Sequence, residues 1–142
     1  MSLFNIGFVI FPDLTQLDFT GPLQVLSRLP QSATHIVAKS DAPVPSDCGL
    51  GLLPTHTFAN CPPLDLLCVP GGSYGVVQAI GDRETIEFVR RQAGTAKYVT
   101  SVCTGAFTWV SPEYSKDGGQ RPIGPLPIYC LLSGDPREGQ GR

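Results

Sequence analysis

Residues 4–11 (FNIGFVIF) form an unbroken apolar run that stops at Pro12 and Asp13. The run is too short for a helix buried on all sides, whereas a strand covered on both faces of a sheet requires this continuous pattern. Such a strand commits the rest of the chain to supplying parallel neighbours and the helices that cross between them. Two later segments fit the requirement: residues 64–69 (LDLLCV), ended by Pro70, Gly71 and Gly72, and residues 97–102, ended by Cys103. Residues 32–39 (SATHIVAK) alternate and give a further strand. Residues 44–58, rich in Pro and Gly with short apolar pieces, read as a small hairpin excursion.

Between these strands lie helical patterns. Leu17, Leu23, Val25, Leu26 and Leu29 recur at largely helical spacing, and Thr15 with Asp18 matches a capping box. Gly21-Pro22 interrupts the first turn, so the helix is expected from about Pro22. Residues 82–96 carry Ile86, Phe88 and Val89 among charges and predict an amphipathic surface helix. Strands alternating with helices place ligands beyond the carboxyl ends of the strands. Asp18, the Gly71-Gly72 turn and Cys103 all fall there.

At 142 residues the chain is one domain, short for a complete doubly wound α/β enzyme. A net charge of -2 with only 15% charged residues gives no basic face for nucleic acid and no polybasic run for a membrane surface, which leaves small neutral ligands. The first residues lack a charged lead, a cleavage site and a spanning length, so neither export nor membrane insertion is expected and the cytoplasm is the expected compartment. Cys48, Cys61, Cys68, Cys103 and Cys130 are odd in number and irregularly spaced, which argues against a disulfide framework or a zinc site. With only His35 and His56 to add, no metal is expected. Four of the five cysteines are read as space-filling thiols.

Cys103 is the exception. Residues 98–107 (YVTSVCTGAF) carry a β-branched run into a cysteine followed by small residues, the pattern of a nucleophile elbow. A sharp strand-to-helix turn holds the thiol clear of its own backbone, and a helix start there favours the thiolate. Beyond Phe107 the periodicity fails: 11 of the 32 residues in 111–142 are Gly or Pro. The chain is therefore divided into an α/β domain over 1–107 and an aberrant tail over 108–142, disordered or poorly packed. Codons for residues 108–125, read one base out with suitable synonymous choices, encode a helix, turn and strand ending in ATTHWA. The tail is accordingly expected to be a frameshift product, and the domain truncated.

Residues 11–22 (FPDLTQLDFTGP), 69–72 (VPGG) and 101–106 (SVCTGA) together carry a resemblance to the ThiJ/PfpI (DJ-type) superfamily, covering about residues 3–107. Within it the chain is similar to the isonitrile hydratases. The resemblance implies a flavodoxin-like doubly wound parallel sheet of the class I glutamine amidotransferase kind with an incomplete C-terminal portion. It also implies a homodimer, no cofactor, and addition of water to an isonitrile to give an N-substituted formamide. Cys103 matches the nucleophile, Asp18 the acidic residue facing it, and Thr104 and Gly72 the pocket neighbourhood that supplies backbone N–H groups.

On the substrate that the resemblance implies, Cys103 would attack the terminal carbon of the isonitrile to form a thioimidate. Asp18 would move protons or cap its helix, and the two roles are compatible. Gly71 and Gly72 would offer N–H groups as an oxyanion hole does, or serve only as a tight turn. Thr104 offers an N–H and a hydroxyl, and equally suits a helix start. Amidotransferase and protease chemistry needs a histidine after Cys103, and the chain has none. The alternatives are a sensor or regulatory module with a redox-reactive Cys103, and an inactive fragment.

Overall fold

The computed structural model describes residues 2–109 and the strand at 128–130. Six parallel strands form one sheet in the order β5-β2-β1-β6-β7-β8. They are β1 (Phe4–Val9), β2 (Ser32–Ala38), β5 (His56–Thr57), β6 (Leu66–Val69), β7 (Tyr98–Ser101) and β8 (Ile128–Cys130). A separate antiparallel hairpin pairs β3 (Val44–Pro45) with β4 (Gly51–Leu52). Three helices cross between strands: α1 (Gln16–Leu26), α2 (Ser73–Gly81) and α3 (Arg83–Ala93). This is the expected α/β architecture.

The apolar run that opens the chain becomes β1, at the middle of the sheet. Gly7 pairs with His35 of β2 on one side and with Leu67 of β6 on the other. Ile6, Phe8, Val9 and Ile10 are almost wholly buried, as are Leu67 and Val69 on β6. From β1 the chain moves outward to β2 and β5 in one direction and to β6, β7 and β8 in the other. The loops leaving β1 and β6 therefore diverge, which opens a crevice at their carboxyl ends.

Several local expectations change. Helix α1 starts at Gln16 and runs through Gly21 and Pro22 rather than beginning there. An interior proline costs about 3 kcal/mol through its missing N–H and its ring clash. Tertiary packing offsets that cost: Phe19 is buried and meets the Phe8 ring edge-on at 5.9 Å, and Leu23 and Leu26 pack against the core. Leu17 and Val25, counted in the apolar spacing, are exposed. Helix α2 had no sequence expectation, because its two glycines and paired valines are poor helix formers. It exists by burying Val76 and Ala79. The excursion over 44–58 yields the hairpin and also β5, which adds to the sheet edge beside β2.

The segment after Cys103 is a 3-10 helix, Cys103–Trp109, where an α-helix was expected. Residues 128–130, inside the tail expected to be unstructured, pair in parallel with β7 from Val99 to Ser101. The rest of the expectation for that tail, including the frameshift reading, falls on residues outside those described. Among the cysteines, Cys68 is buried, Cys61 partly so, and Cys48 is exposed rather than space-filling.

Candidate active site

Three turns meet at the carboxyl end of the sheet. The first follows β1, where Asp13 takes a left-handed backbone (φ 60) and Thr15 donates its N–H to the Gly71 carbonyl at 2.9 Å. The second is the Gly71-Gly72 turn after β6. The third is the elbow, where Cys103 itself sits at φ 52. A non-glycine residue in that region carries strain of roughly 1–2 kcal/mol, and such strain persists where the surroundings over-determine the backbone.

Packing behind the elbow supplies that determination. Gly105 lies so close to β6 that a Cβ there would stand 2.5 Å from the Val69 carbonyl oxygen and 2.6 Å from that of Pro70. The Gly105 N–H closes the turn onto the Val102 carbonyl at 3.0 Å. Thr104 ties the elbow to the glycine turn: its hydroxyl accepts from the Gly72 N–H at 3.1 Å and donates to the Gly72 carbonyl at 3.2 Å. The Gly72 N–H, expected to face substrate, is thus engaged by Thr104. The Gly71 N–H is turned to the Asp18 carboxyl, and the Thr104 nitrogen lies beside the same turn.

Gly71 is where the three turns touch. A Cβ on it would stand 2.6 Å from Asp18 Oδ2, 2.9 Å from Cys103 Cβ and 3.1 Å from the Thr104 nitrogen. Only glycine leaves this space open, and through it Asp18 and Cys103 approach each other. Asp18 is buried, 9% exposed, and its Oδ2 has no hydrogen-bond partner among the described residues. Burial pushes its carboxyl above the ordinary carboxylate value; the Gly71 N–H opposes the rise, and the charge of Asp47 adds to it. A buried carboxyl with an unused oxygen beside an exposed thiol is equipped to hold and release a proton.

The capping box is not formed. Thr15 makes no side-chain cap to α1, and the Gln16 N–H instead reaches Asp47 Oδ1 at 3.4 Å, across 31 residues of sequence. No local pattern announced Asp47. His35 and His56 lie on β2 and β5, separated from β6 and β7 by β1, with their rings edge-to-face at 4.8 Å. His35 accepts or donates one bond, to the Asn5 side chain at 3.0 Å, and burial lowers its pKa with a contribution from His56. Among the described residues no group of three or more His, Cys, Asp or Glu is placed to hold a metal, and no helix is long and apolar enough to cross a membrane. An apolar cavity of about 380 Å³ opens beside the β1 turn, lined by Phe11, Pro12, Val44 and Phe58 among others, but its lining includes neither Cys103 nor Asp18. The chemistry, rather than the cavity, marks the site.

Comparison with known proteins places the chain in a family. The model of the DJ-1/PfpI family matches residues 5–117. The chain is 54% identical over 102 residues to the isonitrile hydratase of Pseudomonas putida, covering 72% of this chain and 44% of that protein. Among solved structures, a ThiJ/PfpI family protein from Pseudomonas syringae superposes with a TM-score of 0.75 at 39% identity, over 78% of this chain and 46% of the other. Drosophila melanogaster DJ-1beta superposes at 0.67 with 16% identity, over 78% and 60% respectively, a likeness of fold. The chain spans less than half the length of the Pseudomonas putida protein.

Proposed function

The chain belongs to the DJ-1/PfpI family, and on that premise we propose that its site performs isonitrile hydration, with Cys103 as nucleophile and Asp18 as the proton-transferring group. The observation that carries this reading is the meeting of a strained, exposed Cys103 with a buried, unpartnered Asp18 oxygen across Gly71. The similarity to a named isonitrile hydratase supplies the substrate class.

The reaction proceeds in balanced steps. The thiolate is the nucleophilic form of cysteine. Cys103 Sγ bonds the terminal isonitrile carbon, and that carbon takes the proton of the Asp18 carboxyl, giving a thioimidate and a carboxylate. Water then adds to the same carbon; Asp18 takes one of its protons and passes it to the nitrogen. Collapse of the tetrahedral adduct breaks the carbon–sulfur bond, returns the thiolate, and sends the hydroxyl proton back to Asp18. The sum is one isonitrile and one water converted to one N-substituted formamide. Burial that raises the Asp18 carboxyl above its ordinary value favours its acting as the proton donor in the first step. The Thr104 N–H beside the Gly71 turn would offer a donor to the charge that develops, and the Thr104 hydroxyl braces the turn. The resemblance that suggests the activity also suggests a homodimer that works without a cofactor.

The test is formation of N-benzylformamide from benzyl isonitrile, followed by NMR. The Cys103→Ala chain loses turnover while keeping its far-UV dichroism; turnover retained in that variant overturns the assignment. The exposure of Cys103 favours one second reading, a peroxide-sensing thiol. Sulfinic acid at Cys103 under dilute peroxide, with no formamide formed by the unchanged chain, selects it.

A further inference from the structure

The β3–β4 hairpin is held against the start of α1 by more contacts than its two-residue strands require. Asp13 donates to the Pro45 carbonyl at 2.9 Å, Asp47 donates to the Leu14 carbonyl at 3.0 Å, and Leu14 and Ser46 form an isolated parallel bridge. The hairpin turn is also closed on itself. Ser46, almost fully buried, donates its N–H to the Leu50 carbonyl at 2.9 Å and accepts the Leu50 N–H on its hydroxyl at 3.0 Å. Asp47 is therefore presented on a fixed frame. Its carboxylate accepts from the first N–H of α1, at a helix start where Thr15 makes no side-chain cap.

We propose that Asp47 is a positioning residue for the reaction at Cys103, capping α1 from outside the helix and so holding Asp18 against the Gly71 turn. The proposal rests on the hydratase reading only for its effect on turnover. Its physical core is independent of that reading. An acceptor at a helix start stabilises it, and an anion there is favoured by the orientation of the peptide dipoles. Asp18 lies in the first turn of the same helix, so a loosened start displaces the carboxyl that must meet the thiol. Asp47 acts a second time through its charge. The titratable groups bearing on Asp18 among the described residues are Asp47 from the hairpin, Cys68 from β6 and Cys103 from the elbow. Asp47 is the carboxylate among them, and it opposes ionisation of Asp18. Asp47 is itself exposed, so this influence weakens as salt rises.

Two variants of the full chain separate the cap from the charge. Asp47→Asn keeps an oxygen for the Gln16 N–H and removes the charge; Asp47→Ala removes both. Amide exchange at Gln16 and carbon-detected titration of the Asp18 carboxyl are read by NMR, and kcat and KM with benzyl isonitrile are read separately. In Asp47→Asn the Asp18 midpoint moves down while Gln16 exchange stays as in the unchanged chain. In Asp47→Ala the midpoint also moves down, Gln16 exchanges faster, and kcat falls about tenfold, a fraction of what full loss of acid–base assistance costs, with KM little changed. An Asp18 midpoint that stays put in both variants, or Gln16 exchange unaffected by Asp47→Ala, overturns the proposal. Because both NMR readouts need no turnover, an unchanged chain that forms no formamide counts against the hydratase reading alone.

Discussion

Cys68 lies within one strand of the sheet and Cys103 just past the end of the neighbouring strand, and the fold makes them chemically different. Cys68 lies inside β6, in register with Thr100 of β7, and is 1% exposed. Burial pushes its thiol up to about 11, with Thr100 pulling in the other direction and the charge of Asp18 adding to the rise, so it stays protonated and inert. Cys103 lies one residue past the ladder that Val102 closes by donating to the Val69 carbonyl at 3.0 Å. There the backbone turns left-handed and the side chain comes out into the crevice. The interior of a parallel sheet silences a thiol, and the turn at its carboxyl end exposes one. Reactivity here is a property of position along the strand more than of residue type.

The sharpest way to break that contrast is to fill the space the turns share. Gly71→Ala puts a methyl 2.6 Å from Asp18 Oδ2 and 2.9 Å from Cys103 Cβ, so one or both must move. A displacement of about 1 Å at a reacting group costs on the order of 100-fold, and kcat for formamide formation should fall by about that factor in a variant that still unfolds cooperatively. Undiminished kcat would show that the two groups need not face each other across Gly71.

Stability should separate the two cysteines in opposite directions. Cys68→Ser buries a hydroxyl in an apolar site and should cost roughly 1–3 kcal/mol in urea unfolding. Cys103→Gly relieves a left-handed backbone and should gain about 1 kcal/mol, while abolishing turnover. A loss of stability in Cys103→Gly would mean that the elbow is not strained.

The smallest effect is a pH-dependent one at Asp18. Its carboxyl titrates above the unfolded value, so its contribution to stability is fully present below the ordinary carboxylate pKa and is lost as the pH rises through the raised folded value. Asp18→Asn should therefore raise Tm over the unchanged chain at pH 7, and the gap should close on acidification below about pH 4. A gap that widens in acid would reverse the sign and place Asp18 in a stabilising charged interaction instead.

Much of this was legible along the chain where the signal was local. The continuous apolar run could only be a doubly covered strand, and β1 occupies the middle of the sheet. The β-branched run ending in Cys103 and small residues read as an elbow, and the backbone turns there. Helix α1 was misplaced because proline propensity was weighed without the Phe8–Phe19 contact that outweighs it. Helix α2 went unread because its residues are poor helix formers made helical by burial. Asp47 was invisible, since a cap delivered across 31 residues leaves no spacing to find.

The sequence by itself determined the strand-turn alternation and put forward Cys103, Asp18 and the glycines as candidates at the turns, because strand and turn depend on side-chain type and nearest-neighbour pattern. Only the tertiary structure decided that Asp18 and Cys103 meet across Gly71, that Thr104 occupies the Gly72 N–H, and that the hairpin rather than Thr15 caps α1. Those outcomes depend on distances between segments far apart in the chain. Such distances are fixed by burial and close packing around the sheet rather than by any local preference.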